Sequence, residues 1–588
     1  MKKIVALLLS LVMVLSLCSF ASAEGGKVMN LFLGGGTPLS MDPALNSASA
    51  GSNIIRSAFT GLMGYQLENG EPVMKPELAE SYELSEDGLT YSFLLREGLK
   101  WSDGTDATAS QIKASWERAA SAELGADYGF LFDVISRNDD GSLAIDVDDA
   151  ARTFVVHLPQ PCAYFLDLCC FVPFYPVRVD IADNEGIWAI NPETYIGLGA
   201  FKMTKYAVDD VISFERNPYY WNADAAKLDG INFYLSEDNT AILTAYENDT
   251  VQYIQSISSS EYDRLNATYP GELEFYPTQG TWYILFNVYK DLSPQAKQLT
   301  VQEQSKARFA LGQLVNRYEV VTYVTKGGEK AATGFYPVGL ADGLTSDVRS
   351  SEYYGTWYTG TNEFSDVNPD LTVDQVEALQ TLIDLGYPYT GSIEGGDLYF
   401  TDFPSIEFAF NNSGNNALII QYVQETWNRF GITGVVNQEA WATLQTKLKA
   451  GDAEAARMGW VSDFNDVVNF LEIFISASGN NYPRLGRSIG DYTRNSEVTA
   501  DAGVGAYWGP DGNQTWAEAY DALVDAVKAA TDPVERAKLA AEAEKVLMAT
   551  GGVNPIYFYT TPQMMKPTVH DVIRLAGGDV IWTYAYLD

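Results

Sequence analysis

The stretch Gly459-Trp460-Val461-Ser462-Asp463-Phe464-Asn465-Asp466-Val467 sets two carboxylates among residues that read as core. A carboxylate taken out of water without a partner is expensive, so the question is what pairs with Asp463 and Asp466. Asp463 can cap a helix beginning near Val467. A pair of acids can also flank a scissile bond, as in glycosidases. At i and i+3 around a helix start, however, these two would diverge rather than face each other. Other chemistries lack their residues. His157 and His570 are the only histidines, which nearly removes Ser-His-Asp, Cys-His and His-based metal sites, nickel included. His157 alternates with apolar neighbours in FVVHLP and reads as a strand residue. There is no GxGxxG, GxxxxGK[ST], HExxH or GxSxG, so no motif requires a nucleotide or other cofactor.

The elements that must position these acids are mixed. Tyr91, Phe93 and Leu95 alternate within Leu89 to Trp101, a strand pattern. After a turn at Asp103-Gly104, Thr108 and Gln111 have capping-box spacing before Ile112, Trp116 and Ala119 recur at helical spacing. Later, Asp532 caps, Pro533 suits the first helical position and Glu535 the third. That helix runs to about Ala549 and stops at Gly551-Gly552. Strand-like Ser405 to Asn412 precedes helical Asn416 to Gly431. Strand–helix–strand order at this spacing implies α/β lobes. No fixed-period repeat or low-complexity linker is present.

Composition bounds the rest. Lys2 and Lys3, an apolar run from Ile4 to Leu17 and Ala21-Ser22-Ala23 form a secretory signal peptide over 1–23, too short to span a membrane. Cys18 keeps a lipoprotein reading open, although bulky Leu17 before it favours ordinary cleavage. Either way the mature chain is expected outside the cytoplasm. The formal charge is −39, and (38 − 2) − 77 = −41 once Lys2 and Lys3 are removed. That field repels nucleic acid and anionic lipid and weakly favours cationic ligands. Cys162, Cys169 and Cys170 remain after cleavage. They read as small buried apolar residues, with a vicinal Cys169–Cys170 bridge as the alternative.

Several segments together resemble one family, the extracytoplasmic solute-binding proteins of oligopeptide-type ABC importers. Leu78 to Ala119, LAESYELSEDGLTYSFLLREGLKWSDGTDATASQIKASWERA, follows the family's run nearly position for position. Pro38 to Leu45 resembles its first ligand-side strand and turn, which brings Leu39 and Ser40 into the expected binding set. Gly197 to Trp221, Tyr283 to Arg317, Gly459 to Phe474 and Asn554 to Val569 complete the match in the family's order. The resemblance implies a two-lobed α/β clamp of the periplasmic-binding-protein type, with an extra subdomain in the first lobe and two hinge crossings. On this chain the first lobe falls at 24–64, 191–283 and 553–588, the extra subdomain at 65–190 and the second lobe at 284–552.

The same resemblance implies a site. Asp463 matches the aspartate of the family's Gly-Trp-x-x-Asp motif, which receives a peptide's α-ammonium. An ammonium offers three donors, and a charge-assisted hydrogen bond is worth about 1.5–3 kcal/mol. Gly459, Trp460 and Val461 match a strand that pairs with the ligand backbone as an added β-strand would. Trp441 and Trp460 match two pocket tryptophans, though ordinary core explains them too. Arg457 matches a position that meets ligand polar groups, or it pairs with Asp463 and orients it. Tyr557 and Tyr559 alternate onto one face, and one is expected to look into the cleft. Two departures stand out: Val467 follows Asp466 where the family commonly has proline, and Asn316 replaces an acid in LVNR. The implied partners are a peptide and the permease subunits of an importer, with the chain a monomer. A non-peptide solute such as an oligosaccharide, or a peptide-sensing receptor on the same scaffold, remains the alternative.

Overall fold

The computed structural model describes residues 27–486 and 516–588, apart from 34, 69 and 163. The leader sequence expected over 1–23, with Cys18, lies outside the described residues. No helix of the described residues is long and apolar enough to cross a membrane.

One eleven-stranded sheet organises the chain. Its strands are β1 Val28–Phe32, β2 Phe201–Ala207, β3 Val211–Arg216, β4 Gly230–Tyr234, β5 Tyr253–Gln255, β6 Leu273–Phe286, β7 Lys330–Ala331, β8 Ile406–Asn411, β9 Gly434–Glu439, β10 Ala455–Val461 and β11 Val553–Met565. Their order is β9-β8-β10-β6-β11-β5-β1-β4-β3-β2, with β7 paired to β11 off that path. The two long antiparallel strands in the middle, β6 and β11, pair along their length and pass from one lobe to the other. They are the two crossings of a clamp. The lobe on β1–β5 packs around Met29, Leu31, Phe201, Ile231, Phe233 and Trp582. The other packs around Trp282, Ile284, Phe286, Leu311, Phe408 and Trp427.

The alternation of β6 shows how one strand serves two cores. Trp282, Ile284 and Phe286 point into one core, whereas Tyr283 and Leu285 point into another. Successive strand residues face opposite sides, so one apolar run serves two cores. Burying such a side chain is worth about 1.5–3 kcal/mol.

Between β1 and β2 the chain builds a separate antiparallel sheet from Ala79–Leu84, Thr90–Leu95, Thr153–His157 and Ile145–Asp148, in that spatial order. Tyr91, Phe93 and Leu95 face inward as their spacing predicts. Helix α1, Ala109–Ala119, starts at Thr108, and the reciprocal Thr108–Gln111 capping box is present. Trp116 packs edge-on to Phe154 and Phe174. His157 ends its strand, with Nε2 2.9 Å from Asp146 Oδ2. Cys162, Cys169 and Cys170 are free thiols. Burial pushes the Cys162 thiol up to about 12, and the vicinal bridge is not formed.

The second lobe carries helices α2 Val301–Gln313, α3 Asn416–Arg429, α4 Trp441–Ala450, α5 Val467–Leu471 and α6 Pro533–Ala549. Asp532 caps α6 by accepting from Glu535 N, with Pro533 in the first turn. Asn316, where the family pattern has an acid, is itself a cap and accepts from Glu319 N. Arg317 beside it is 3 % exposed. Its guanidinium donates to Pro555 O on β11 at 2.7 Å and to Gly312 O and Val315 O at the end of α2, at 3.0 and 3.1 Å. It also stacks 3.3 Å from the Tyr358 ring centroid. One side chain thereby fastens a crossing strand to the second lobe. Arg317→Met removes one donor from each of three buried carbonyls and should lower unfolding free energy by about 3 kcal/mol. Urea denaturation measures this, with the exposed Lys205→Met expected to change it by less than about 0.5 kcal/mol.

Candidate functional site

Strand β10 and the turn after it carry the site. Its register with β6 sets Gly459, Trp460 and Val461 opposite Trp282, Thr281 and Gly280. On its other side β8 pairs only with Ala455 and Ala456. Among the described residues, the edge from Gly459 to Val461 therefore has no strand partner on that side. Gly459, Trp460 and Val461 line a cavity of about 90 Å³ at the junction of the two lobes and the smaller sheet's region. Trp441, Trp460 and Asp463 come from the second lobe, Ser47 and Asp579 from the first, and Tyr128 from the region of the smaller sheet.

Asp463 is held by donors from both sides of the cleft. Its Oδ2 accepts from Tyr128 Oη and from Asn469 Nδ2, each at 3.0 Å. Asn469 Oδ1 in turn accepts from Asp463 N at 3.0 Å and Trp460 Nε1 at 3.1 Å. That leaves Oδ1 of Asp463 without a protein donor among the described residues. Burial is the main cause that pushes the Asp463 carboxyl up to about 7. The hydrogen bonds from Asn469 and Tyr128 oppose it, and the charges of Asp579 and Glu472 add to it. Asp579 is anchored by Arg56, whose Nε and Nη2 donate to its Oδ2 at 3.0 and 2.9 Å.

Asp466 has a different life. It caps α5 by accepting from Val468 N at 2.8 Å and pairs with Arg536 Nη2 at 2.7 Å. It lines another cavity, beside Tyr164 and Arg536. The cap considered for Asp463 thus belongs to Asp466, which directly precedes the helix. The two acids open into separate spaces, so they do not flank one bond as a hydrolase pair must.

The other expected site residues divide. Trp441 and Trp460 line the cavity with Gly459 and Val461, and Trp460 lies 6.3 Å from Tyr128, ring to ring. Arg457 does not pair with Asp463. It shares the Gly459 face of the strand, opposite Trp460, and stacks 5.7 Å from the Trp441 ring centroid. Tyr559 also belongs to that face: a Cβ on Gly459 would meet its hydroxyl at 2.0 Å, so glycine is required there. Tyr557 stacks on Trp282 at 5.7 Å. Neither tyrosine lines the Asp463 cavity. Leu39 and Ser40 lie outside it too. Residues 38–41 are not a strand, Leu39 is solvent-exposed, and Ser40 Oγ accepts from Asp42 N. Sequence reasoning missed Tyr128, Asn469 and Asp579. Tyr128 and Asp463 are 335 residues apart, and nothing local to either points to the other.

Direct contacts hold the lobes together around this cavity. Tyr164 stacks on Phe464 at 4.7 Å and 9°. Lys449 of α4 pairs with Asp127. Glu237 Oε1 accepts from Trp441 N at the start of α4 at 3.0 Å.

Comparison with known proteins bears on this arrangement. The family model of bacterial extracellular solute-binding proteins, family 5 Middle, matches residues 73–482. The oligopeptide-binding protein OppA of Bacillus subtilis is 27 % identical over 610 residues, covering 99 % of this chain and 98 % of that protein. The crystal structure of Haemophilus influenzae OppA in complex with RPPGFSPFR overlays with a TM-score of 0.77 at 22 % identity, covering 96 % of this chain and 100 % of that one. The murein tripeptide-binding protein MppA of Escherichia coli overlays at 0.76, with 22 % identity and 96 % and 99 % coverage. Its unliganded open form reaches only 0.55, with 22 % identity and 96 % and 98 % coverage. The two-lobed clamp, its crossing strands and the match over 73–482 place the chain in family 5 of the bacterial extracellular solute-binding proteins.

Proposed function

We propose that the protein captures peptides between its lobes and delivers them to the permease subunits of an ABC importer, acting by binding and not by catalysis. The observation that carries this reading is the half-satisfied Asp463 carboxylate beside an open strand edge, in a cavity that both lobes build. Asp463 Oδ1 takes the α-ammonium, and the edge from Gly459 to Val461 takes the ligand's main chain as an added strand. Backbone pairing ignores side chains, so varied sequences are tolerated. Trp441 and Trp460 wall the first residue. Contacts to both lobes favour the closed state, and the ligand shifts the hinge equilibrium by its differential affinity. Relatives named as oligopeptide-binding proteins support a peptide as the solute. The crossings at 273–286 and 553–565 support the lobe division set out from the sequence. The amino-terminal segment supports export, by ordinary cleavage after residue 23.

Two measurements test the site. Calorimetry should find N-acetylated peptides bound at least tenfold more weakly than the same peptides with free amino termini. Asp463→Asn should lose one to two decades of affinity for the free form. Equal affinities would remove the ammonium role. Mass spectrometry of ligand co-purified from the native host then identifies the solute, and an oligosaccharide would replace the peptide reading.

The raised carboxyl also predicts a proton linkage. Unfolded, Asp463 titrates near 3.8; folded and ligand-free, near 7. Between these values the folded protein holds the extra proton. This group's contribution to stability therefore falls as pH rises from about 4 to 7 and is level above that. An incoming ammonium needs the ionised acid, so binding near pH 6 should release a proton and affinity should rise towards pH 7. Binding enthalpies in two buffers of different ionisation heat report the proton count. Release that persists unchanged in Asp463→Asn would assign it elsewhere.

A further inference from the structure

Two buried amides open into the Asp463 cavity without the partners that buried amides require. Gln445 lies one turn after Trp441 on α4 and is 2 % exposed. Among the described residues, its Oε1 accepts no hydrogen bond. Asn480 is also 2 % exposed. Its Oδ1 accepts from Tyr482 Oη and its backbone N donates to Ser478 Oγ, each at 3.2 Å, which fixes the side chain. Its Nδ2 has no acceptor among the described residues. Nearly all buried polar side-chain atoms find a partner, and an exception needs an explanation. Here an orphan acceptor and an orphan donor line one small cavity, beside a carboxylate with one free oxygen. Phe171 and Met458 are apolar, and although Ser47, Ser49, Ser52 and Ser462 also line the cavity, none of the described residues hydrogen-bonds either orphan atom.

We propose that Gln445 and Asn480 are specificity-determining residues that read the side chain of the ligand's first residue, and that this side chain is a small hydroxyl or primary amide. The inference rests on the peptide reading above and deepens it. The ligand's main chain already has a partner in the open edge of β10, and its ammonium has Asp463. The two amides remain for a side chain that both donates and accepts: its O–H or N–H goes to Gln445 Oε1, and its oxygen accepts from Asn480 Nδ2. About 90 Å³ is room for a handful of waters at roughly 10–15 Å³ each. That suits a short polar side chain better than a long or aromatic one. A site built to hydrogen-bond a group rejects the isostere lacking it strongly, because its own buried atoms are then left unpaired.

Matched peptides test this on the full chain without any variant. Thr-Ala-Ala-Ala is compared with Val-Ala-Ala-Ala, and Asn-Ala-Ala-Ala with Leu-Ala-Ala-Ala, by calorimetry. The expected result is tenfold or tighter binding of the polar member of each pair. Gln445→Met and Asn480→Leu should each bring the Thr/Val ratio towards one while changing the affinity for the Val peptide by only a few-fold. Equal binding within both pairs overturns the proposal, since water then satisfies the amides and the cavity is blind to the side chain. A variant that weakens Thr and Val peptides equally overturns it as well, by assigning that residue a structural role. Failure of all four peptides to bind is a different outcome: it overturns the peptide reading itself, and this inference with it.

Discussion

Everything about this clamp turns on the cost of placing one carboxylate where the lobes meet. Among the described residues, Asp463 has two protein donors on one oxygen and none on the other, with Asp579 and Glu472 adding like charge nearby. A closed cleft around an ionised, half-satisfied acid is unfavourable. Protonation relieves that cost, in keeping with the raised carboxyl. Tyr128 ties this local requirement to the lobes, since its hydroxyl reaches Asp463 from across the cleft. That hydrogen bond couples the acid to the contact between the two sides of the cleft.

The scaffold makes that coupling mechanical. The sheet is continuous from one lobe to the other, and its central strands belong to both. β10, which bears the site, is hydrogen-bonded directly to β6, a crossing strand. Gly459 and Gly280 give Tyr559 its place against this pair: a Cβ at either position would come within 2.9 Å of the ring or its hydroxyl. The site is therefore built on regular strand backbone with an aromatic support behind it. Helix α4 adds a strap, since its first N–H is held by Glu237 and Lys449 near its end by Asp127. The acid at the amino end and the base near the carboxyl end both suit the helix dipole.

Much of this was legible in the sequence where the signal is local. The Thr108–Gln111 box, the Asp532-Pro533-Glu535 start and the strand from Gly459 to Val461 are decided within a few residues, and the structure has each of them. Collinear motifs identified the fold and pointed to Asp463. Several of the differences are questions of facing. Arg457 and Asp463 are close in sequence, yet strand alternation turns Arg457 to the side away from Trp460. Tyr557 and Tyr559 also lie outside the cavity, because a motif fixes neighbourhood along the chain and not the direction of a side chain, whereas Leu39 and Ser40 belong to a segment that forms no strand there. Tyr128, Asn480 and Asp579 could not be found at all, because they share a cavity with Asp463 only through tertiary packing.

The order of the strands along the chain has a consequence for biogenesis. β11 follows the other ten strands in sequence, yet it pairs with β5, β6 and β7 and so joins both lobes. Until it emerges from the ribosome or the export channel, neither lobe has its shared central neighbour. Pairing over such distances is slow in folding. The joint between the lobes is thus completed only after nearly all of the chain has been made.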